Sequence, residues 1–155
     1  MATYTKQDIL RFLKEQSFMT LATVSPDGAP HVVVLLYAVD DDLSIYFMTH
    51  EDSRKAANLS DSNTVSLVVW EHKKMSVQIE GTAEAITDEQ KKDAVLGALA
   101  EAGAKREDFW PPIFRIRGGA YAVFRIKPNR IRCLDLAGDH MNEYHTPFTD
   151  LDISV

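Results

Sequence analysis

The sequence predicts a mainly β fold, a small antiparallel β-barrel of about six strands in Greek-key-like order with helices as covers. Three observations carry this. Short apolar or alternating segments follow one another through tight polar turns, which is antiparallel patterning. Helical segments are inserted between strands rather than alternating with them, against a parallel α/β sheet. No Gly-rich dinucleotide fingerprint is present to support that alternative.

The elements follow in order. Thr5 can cap a first helix running to about Gln16, with Ile9, Phe12 and Leu13 on one face. Phe18 to Ser25 has strand composition, and Pro26-Asp27-Gly28 is a turn in which proline presets φ and glycine accepts a positive φ. His31 to Val39 is almost uniformly apolar, which implies a strand covered on both faces. Asp40-Asp41-Asp42 turns the chain into a strand over Leu43 to Met48. A helix begins near Ser53, and Thr64 to Trp70 is the next strand, followed by a charged turn from Glu71 to Lys74. Met75 to Ala85 alternates strictly, with Met75, Val77, Ile79, Gly81 and Ala83 on a core face and Ser76, Gln78, Glu80, Thr82 and Glu84 on a polar one.

Thr87-Asp88-Glu89-Gln90 matches a capping box, and Ala94, Val95, Ala98, Leu99 and Ala102 stripe a helix ending near Gly103. Lys105 to Arg117 contains Pro111-Pro112 and is expected to be a packed loop. Gly118-Gly119 then leads into Ala120 to Ile126, a turn at Lys127-Pro128-Asn129, and Arg130 to Leu136. The tail from Ala137 has no clear period. The whole chain, 1–155, reads as one domain, with 137–155 as a C-terminal tail or dimer arm.

Composition narrows the function. The 155 residues are 45% hydrophobic and 26% charged, ordinary for one globular domain. With 17 basic against 23 acidic residues the net charge is −6, so there is no broad basic field for nucleic acid or a membrane surface. Any anion site must be local. The single cysteine, Cys133, excludes an internal disulfide framework and points to a reducing setting. The N-terminus lacks a basic region followed by an apolar core, and no apolar run spans a membrane, so a soluble cytoplasmic protein is expected.

The chemically informative stretch is Leu43 to Asn58, LSIYFMTHEDSRKAAN. Asp52 or Ser53 can be the N-cap, which places Arg54 and Lys55 in the first turn, where the positive end of the helix dipole disfavours cations. Helix N–H groups, the Thr49 and Ser53 hydroxyls, and a guanidinium beside an ammonium could together surround a phosphate. The same residues could also be solvated charges beside Glu51-Asp52.

The order LATVSPDGAPHVVVLLYAV, IYFMTHEDSRKAANL, VSLVVW and VQIEGTAEAI resembles the pyridoxamine phosphate oxidase-like flavin-binding split-barrel superfamily across most of Phe18 to Leu136. Its most specific parts are T-x-x-x-S-R-K at Thr49 to Lys55 and V-x-I-E-G-T-A at Val77 to Ala83. The resemblance implies a split barrel and a homodimer holding flavin mononucleotide (FMN) in clefts at its interface. Arg54 and Lys55 would then contact the flavin phosphate, with Ser53 and Thr49 nearby. Met48 falls in the matching pair before the helix. Ser76 takes roughly the place of a glutamine that the oxidases direct at the flavin, and Val33, Val34, Leu35 and Leu36 would run beside the isoalloxazine ring.

The chain also departs from that pattern. Where the oxidase carries an arginine and a lysine on the second strand, this chain has residues such as Val33 and Ala38, so weaker flavin affinity is expected. Arg130-Ile131-Arg132-Cys133 lacks the histidine that grips pyridoxal phosphate, and vitamin B6 chemistry is not expected. The function implied is an FMN-dependent oxidoreductase acting on a small molecule. The alternatives are a non-enzymatic flavin redox carrier or sensor, or a relative binding deazaflavin or haem.

No catalytic residue is assigned, because a flavin carries the hydride or electron transfer itself. His31 reads as a turn or rim residue, although it could lie near the ring. His140 and His145, with Asp139, Glu143 and Asp150, have a spacing that suits neither helix nor strand ligation, so no metal is expected. Phe109 and Trp110 suit hydrophobic packing of the Pro-Pro loop, with stacking on a flavin across an interface as the alternative.

Overall fold

A computed structural model describes residues 4–105, 120–137 and 148–153. In chain order the elements are α1 (Lys6–Glu15), β1 (Phe18–Val24), β2 (Pro30–Leu36), β3 (Ala38–Val39), β4 (Ile45–His50) and α2 (Arg54–Asp61). They continue with β5 (Thr64–Glu71), β6 (Met75–Ala85), α3 (Glu89–Ala104), β7 (Tyr121–Asp135) and β8 (Phe148–Leu151). The strands form one antiparallel sheet in the order β2-β1-β5-β6-β7-β4-β3, with β8 paired to β7. The expected Phe109, Trp110 and Pro-Pro loop, Gly118-Gly119, and the tail residues His140 and His145 lie outside the described residues.

Alternation explains how this sheet curls around one interior. Leu21, Leu67, Ile79 and Ile131 lie side by side on β1, β5, β6 and β7, and Ile45 and Phe47 on β4 face Ile126 and Phe124 on β7. All belong to one buried cluster, which α1 completes with Ile9, Leu10, Phe12 and Leu13. Phe47 and Phe124 stack with ring centroids 5.3 Å apart. The opposite face of β4 and β7 carries Met48 and Val123, and α3 covers them with Val95 and Leu99.

Helix entry is fixed by side chains. The Thr5 hydroxyl accepts from the Asp8 N–H while the Asp8 carboxylate accepts from the Thr5 N–H, a reciprocal capping box. The cap of α3 is Asp88, which accepts from the Lys91 N–H at 2.9 Å, one residue later than the expected start at Thr87. Ala94 and Ala98, expected in the buried stripe of α3, are exposed and line an open cleft against β3 and β4.

Four further expectations are corrected. Lys127-Pro128-Asn129 is not a turn, since β7 runs unbroken from Tyr121 to Asp135. Glu80 pairs with Arg130 and Gly81 with Pro128, so Asn129 is the extra residue of a β-bulge. A bulge accommodates a proline that lacks an N–H for the ladder. The strand expected over His31–Val39 breaks at Tyr37, whose hydroxyl donates to the Leu13 carbonyl at 2.6 Å. The apparently periodless tail contains β8, where Arg132 holds Asp150 through Nε at 2.8 Å and Nη2 at 3.1 Å.

The fourth correction concerns β2. Its inward face, with Val33 and Leu35, packs on the core, but Val32 and Val34 are 58% and 68% exposed on the outer face. Both-sided burial of this strand is therefore not achieved within one chain.

Candidate functional site

The β4–α2 junction is built from local chemistry. Ser53 caps α2: its Oγ accepts from the Ala56 N–H at 3.2 Å and from the Thr49 hydroxyl at 3.0 Å. The cap and the Ala57 N–H to Ser53 carbonyl bond leave the N–H groups of Arg54 and Lys55 at the open end of the helix. No acidic residue lies in that first turn. Among the described residues, neither Arg54 nor Lys55 forms an ion pair.

This concentrates positive potential without an ion-paired carboxylate. Two cations sit at the positive end of the helix dipole, an arrangement that an anion relieves. Lys55 is half-buried, and desolvation holds its ammonium below the ordinary lysine range. An anion placed there would compensate that lost hydration. The donor set of a guanidinium, an ammonium and open N–H groups fits a phosphate monoester such as that of FMN.

Position is secured by packing against β1. Asn58 and Leu59, one turn into α2, are buried, and Asn58 Nδ2 donates to Thr23 Oγ1 at 2.9 Å in the interior. Thr23→Val keeps the shape and removes the acceptor. It is expected to cost about 1–3 kcal/mol in denaturant unfolding, because the Asn58 amide is left buried and unpaired. A cost near zero would mean that Asn58 finds another acceptor and that this bond does not seat the helix.

The same packing brings His31 to the site. On β2 it lies opposite Thr23, and its imidazole is within electrostatic reach of Arg54 and Lys55. Burial, reinforced by those two cations, holds it below the ordinary histidine range. Asp27, in the β1–β2 turn, is held below the usual carboxylate range chiefly by the Ser25 hydroxyl, with Arg54 contributing. Sequence reading places His31 at a rim, because only the β1–β2 register and the seat of α2 reveal what it faces.

The other expected contacts are distributed. Thr49, Ser53, Arg54 and Lys55 come together. Met48 packs under α3 with Leu36 alongside, Val33 and Leu35 face the core, and Val34 faces outward. Ser76 does not join them within one chain. It pairs with Leu134 near one end of β7, whereas Thr49 pairs with Ala122 near the other, roughly 40 Å away along the strand at about 3.3 Å per residue.

A second open space of about 520 Å³ lies between α3 and the β3–β4 hairpin. Three of its polar side chains, Tyr46, Asp40 and Arg125, are already engaged: the Tyr46 hydroxyl donates to Asp40 at 2.7 Å, and Arg125 donates to Ser44 and Asp42 at 3.0 Å each. Among the described residues, no group of three or more His, Cys, Asp or Glu is arranged to hold a metal ion. No described helix is long and apolar enough to cross a membrane.

Comparison with known proteins places this geometry in context. The pyridoxine/pyridoxamine 5'-phosphate oxidase of Salinibacter ruber is 38% identical over 79 residues, 50% of this chain and 37% of that protein. The chain therefore spans well under two thirds of that relative's length. A conserved hypothetical protein of Mycobacterium tuberculosis superimposes with a TM-score of 0.73 at 27% identity, covering 86% of each chain. An FAD-binding protein of Mesorhizobium loti shares the fold with a TM-score of 0.66 at 23% identity, over 85% of this chain and 93% of its own. The sequence matches the pyridoxamine 5'-phosphate oxidase family over residues 5–135, and with the split-barrel sheet and the Ser53-Arg54-Lys55 helix start this chain belongs to that family.

Proposed function

We propose that the protein is an FMN-dependent oxidoreductase acting on a small molecule, with the cofactor held where two copies of the chain meet. The observation that carries this reading is the start of α2, where Arg54 and Lys55 stand without a described carboxylate partner. Arg54 and Lys55 hold the phosphate, with Thr49 and Ser53 fixing the turn that presents them. Val34, exposed on the outer face of β2, and the half-buried Leu36 offer apolar surface for a ring system. The bound flavin supplies hydride or electron transfer, and the chain's part is to bind, orient and shield it.

Two features support a second copy. Val32 and Val34 leave an apolar strip of β2 open, and exposed apolar surface of this kind marks interaction faces. Ser76 lies remote from the phosphate residues of its own chain, so a role for it at the flavin requires delivery by the partner. Val32→Glu with Val34→Glu is expected to convert a dimer to a monomer in sedimentation velocity and to lower flavin retention at least ~10-fold. These outward positions leave folding stability within about 1 kcal/mol. An unmodified protein that sediments as a monomer overturns the two-copy arrangement.

The direct test is a visible spectrum of the purified protein before and after incubation with excess FMN and removal of the unbound fraction. Retention of about one flavin per protomer is the expected result. A folded protein that retains none, or that carries a deazaflavin or haem spectrum, sinks the FMN assignment.

A further inference from the structure

Among the described residues, one buried side-chain nitrogen has no hydrogen-bond partner, His31 Nδ1. Buried polar atoms are nearly always paired, and an orphan costs its full desolvation penalty. Its surroundings indicate what would pair it. His31 sits across from Thr23, the residue that seats α2 through Asn58, so the imidazole and the first turn of α2 flank the same point of β1.

The charged groups acting on the imidazole are Arg54 and Lys55 from α2. From the β1–β2 turn the charged group is Asp27, which faces Arg54 and whose Oδ1 is engaged by the Ser25 hydroxyl and the Ala29 N–H. β1 contributes only the Thr23 hydroxyl. Beyond α2's start, His50 and Asp52 lie against each other, Nδ1 to Oδ2 at 3.8 Å.

We propose that His31 is a third, proton-dependent ligand of the anion bound by Arg54 and Lys55: a phosphate arriving there draws a proton onto the imidazole, whose Nδ1–H then donates to it. This rests on the phosphate reading of the α2 start and adds to it a pH control of cofactor retention.

The sign follows from charge. Without an anion, two neighbouring cations and burial keep the imidazole neutral at pH 7. With a phosphate dianion in place the local potential reverses and the imidazole gains a proton. The complex then holds more protons than the free protein, so affinity rises as pH falls between the bound and free titration midpoints and is flat outside them. The phosphate's own protonation near pH 6 acts the other way. It cancels in the ratio of wild-type to His31→Gln affinity.

The experiment follows the His31 ring resonance by NMR across pH in the full chain, assigned by its loss in His31→Gln. It is run without ligand and with inorganic phosphate, FMN or riboflavin. The expected midpoint without ligand is below the ordinary ~6.5. Phosphate or FMN should raise it by a unit or more, and riboflavin, which lacks the phosphate, should leave it in place. In parallel, the wild-type to His31→Gln ratio of FMN affinities should grow as pH falls from ~8.5, approaching about tenfold per unit of midpoint shift once pH drops below the free midpoint. His31→Arg should bind with wild-type strength at low pH and lose the pH dependence of that ratio.

FMN binding with an unmoved midpoint and a constant ratio overturns the role of His31 while leaving the Arg54 and Lys55 site intact. Binding of neither phosphate nor FMN at any pH overturns both.

Discussion

Replacing Arg54 and Lys55 together by glutamate is expected to lower FMN affinity by at least ~10³-fold without unfolding the protein. Each charge-assisted hydrogen bond contributes about 1.5–3 kcal/mol, so loss of two removes roughly 3–6 kcal/mol, a factor of about 10² to 10⁴. Two carboxylates facing a phosphate add repulsion to that loss. The helix itself should not suffer. Negative charge in a first turn complements the dipole by about 0.3–1 kcal/mol per residue, and the Ser53 cap and the Asn58–Thr23 bond are untouched. Fluorescence titration with FMN and a thermal melt of the same sample read the two halves of the expectation. A folded double variant that binds FMN within tenfold of wild type would move the phosphate site away from α2. With a net charge of −6, no diffuse basic surface stands ready to replace it.

Much of this site could be read from the sequence because its determinants are local. Ser53 caps, Thr49 precedes it by one turn's length, and two cations follow, so composition alone exposes an electrostatic conflict of the kind an anion relieves. The strict alternation of Met75 to Ala85 likewise assigns a face to each residue, and the core-facing set is buried. What escaped the sequence depends on tertiary register. His31 is an unremarkable strand histidine until β2 pairs with β1 and α2 docks on Thr23. Val32 and Val34 imply burial on both faces, which one chain cannot supply, so the same apolar run that predicts a covered strand becomes an open strip on the protomer. The Lys127-Pro128-Asn129 stretch carries ordinary turn chemistry, and only its pairing with β6 shows that the strand absorbs it as a bulge.

That bulge leads to the largest expected effect on stability. Gly81→Ala should destabilise the fold by about 3 kcal/mol, at the upper end of overpacking penalties. A Cβ at Gly81 would fall inside van der Waals contact with the Lys127 carbonyl oxygen and 3.1 Å from the Ile126 Cγ2 methyl. Neither can yield cheaply, since the first is backbone held in the β6–β7 ladder and the second is fully buried. For a chain of this size the loss corresponds to a fall in melting temperature of roughly 6–12 °C, at about 2–4 °C per kcal/mol. β7 carries β4 on its other edge, with Thr49 paired to Ala122, but α2 is seated on β1 rather than on the bulge. FMN affinity of the remaining folded Gly81→Ala protein should therefore stay near that of wild type. The two variants are expected to give opposite patterns, the double glutamate losing flavin and keeping its melting temperature, Gly81→Ala losing stability and keeping flavin. A loss under about 0.5 kcal/mol in Gly81→Ala would show that the Lys127 carbonyl can swing aside and that the bulge is soft. A parallel loss of flavin affinity would show that the register of β6 and β7 is transmitted through β4 to the turn from Thr49 to Lys55.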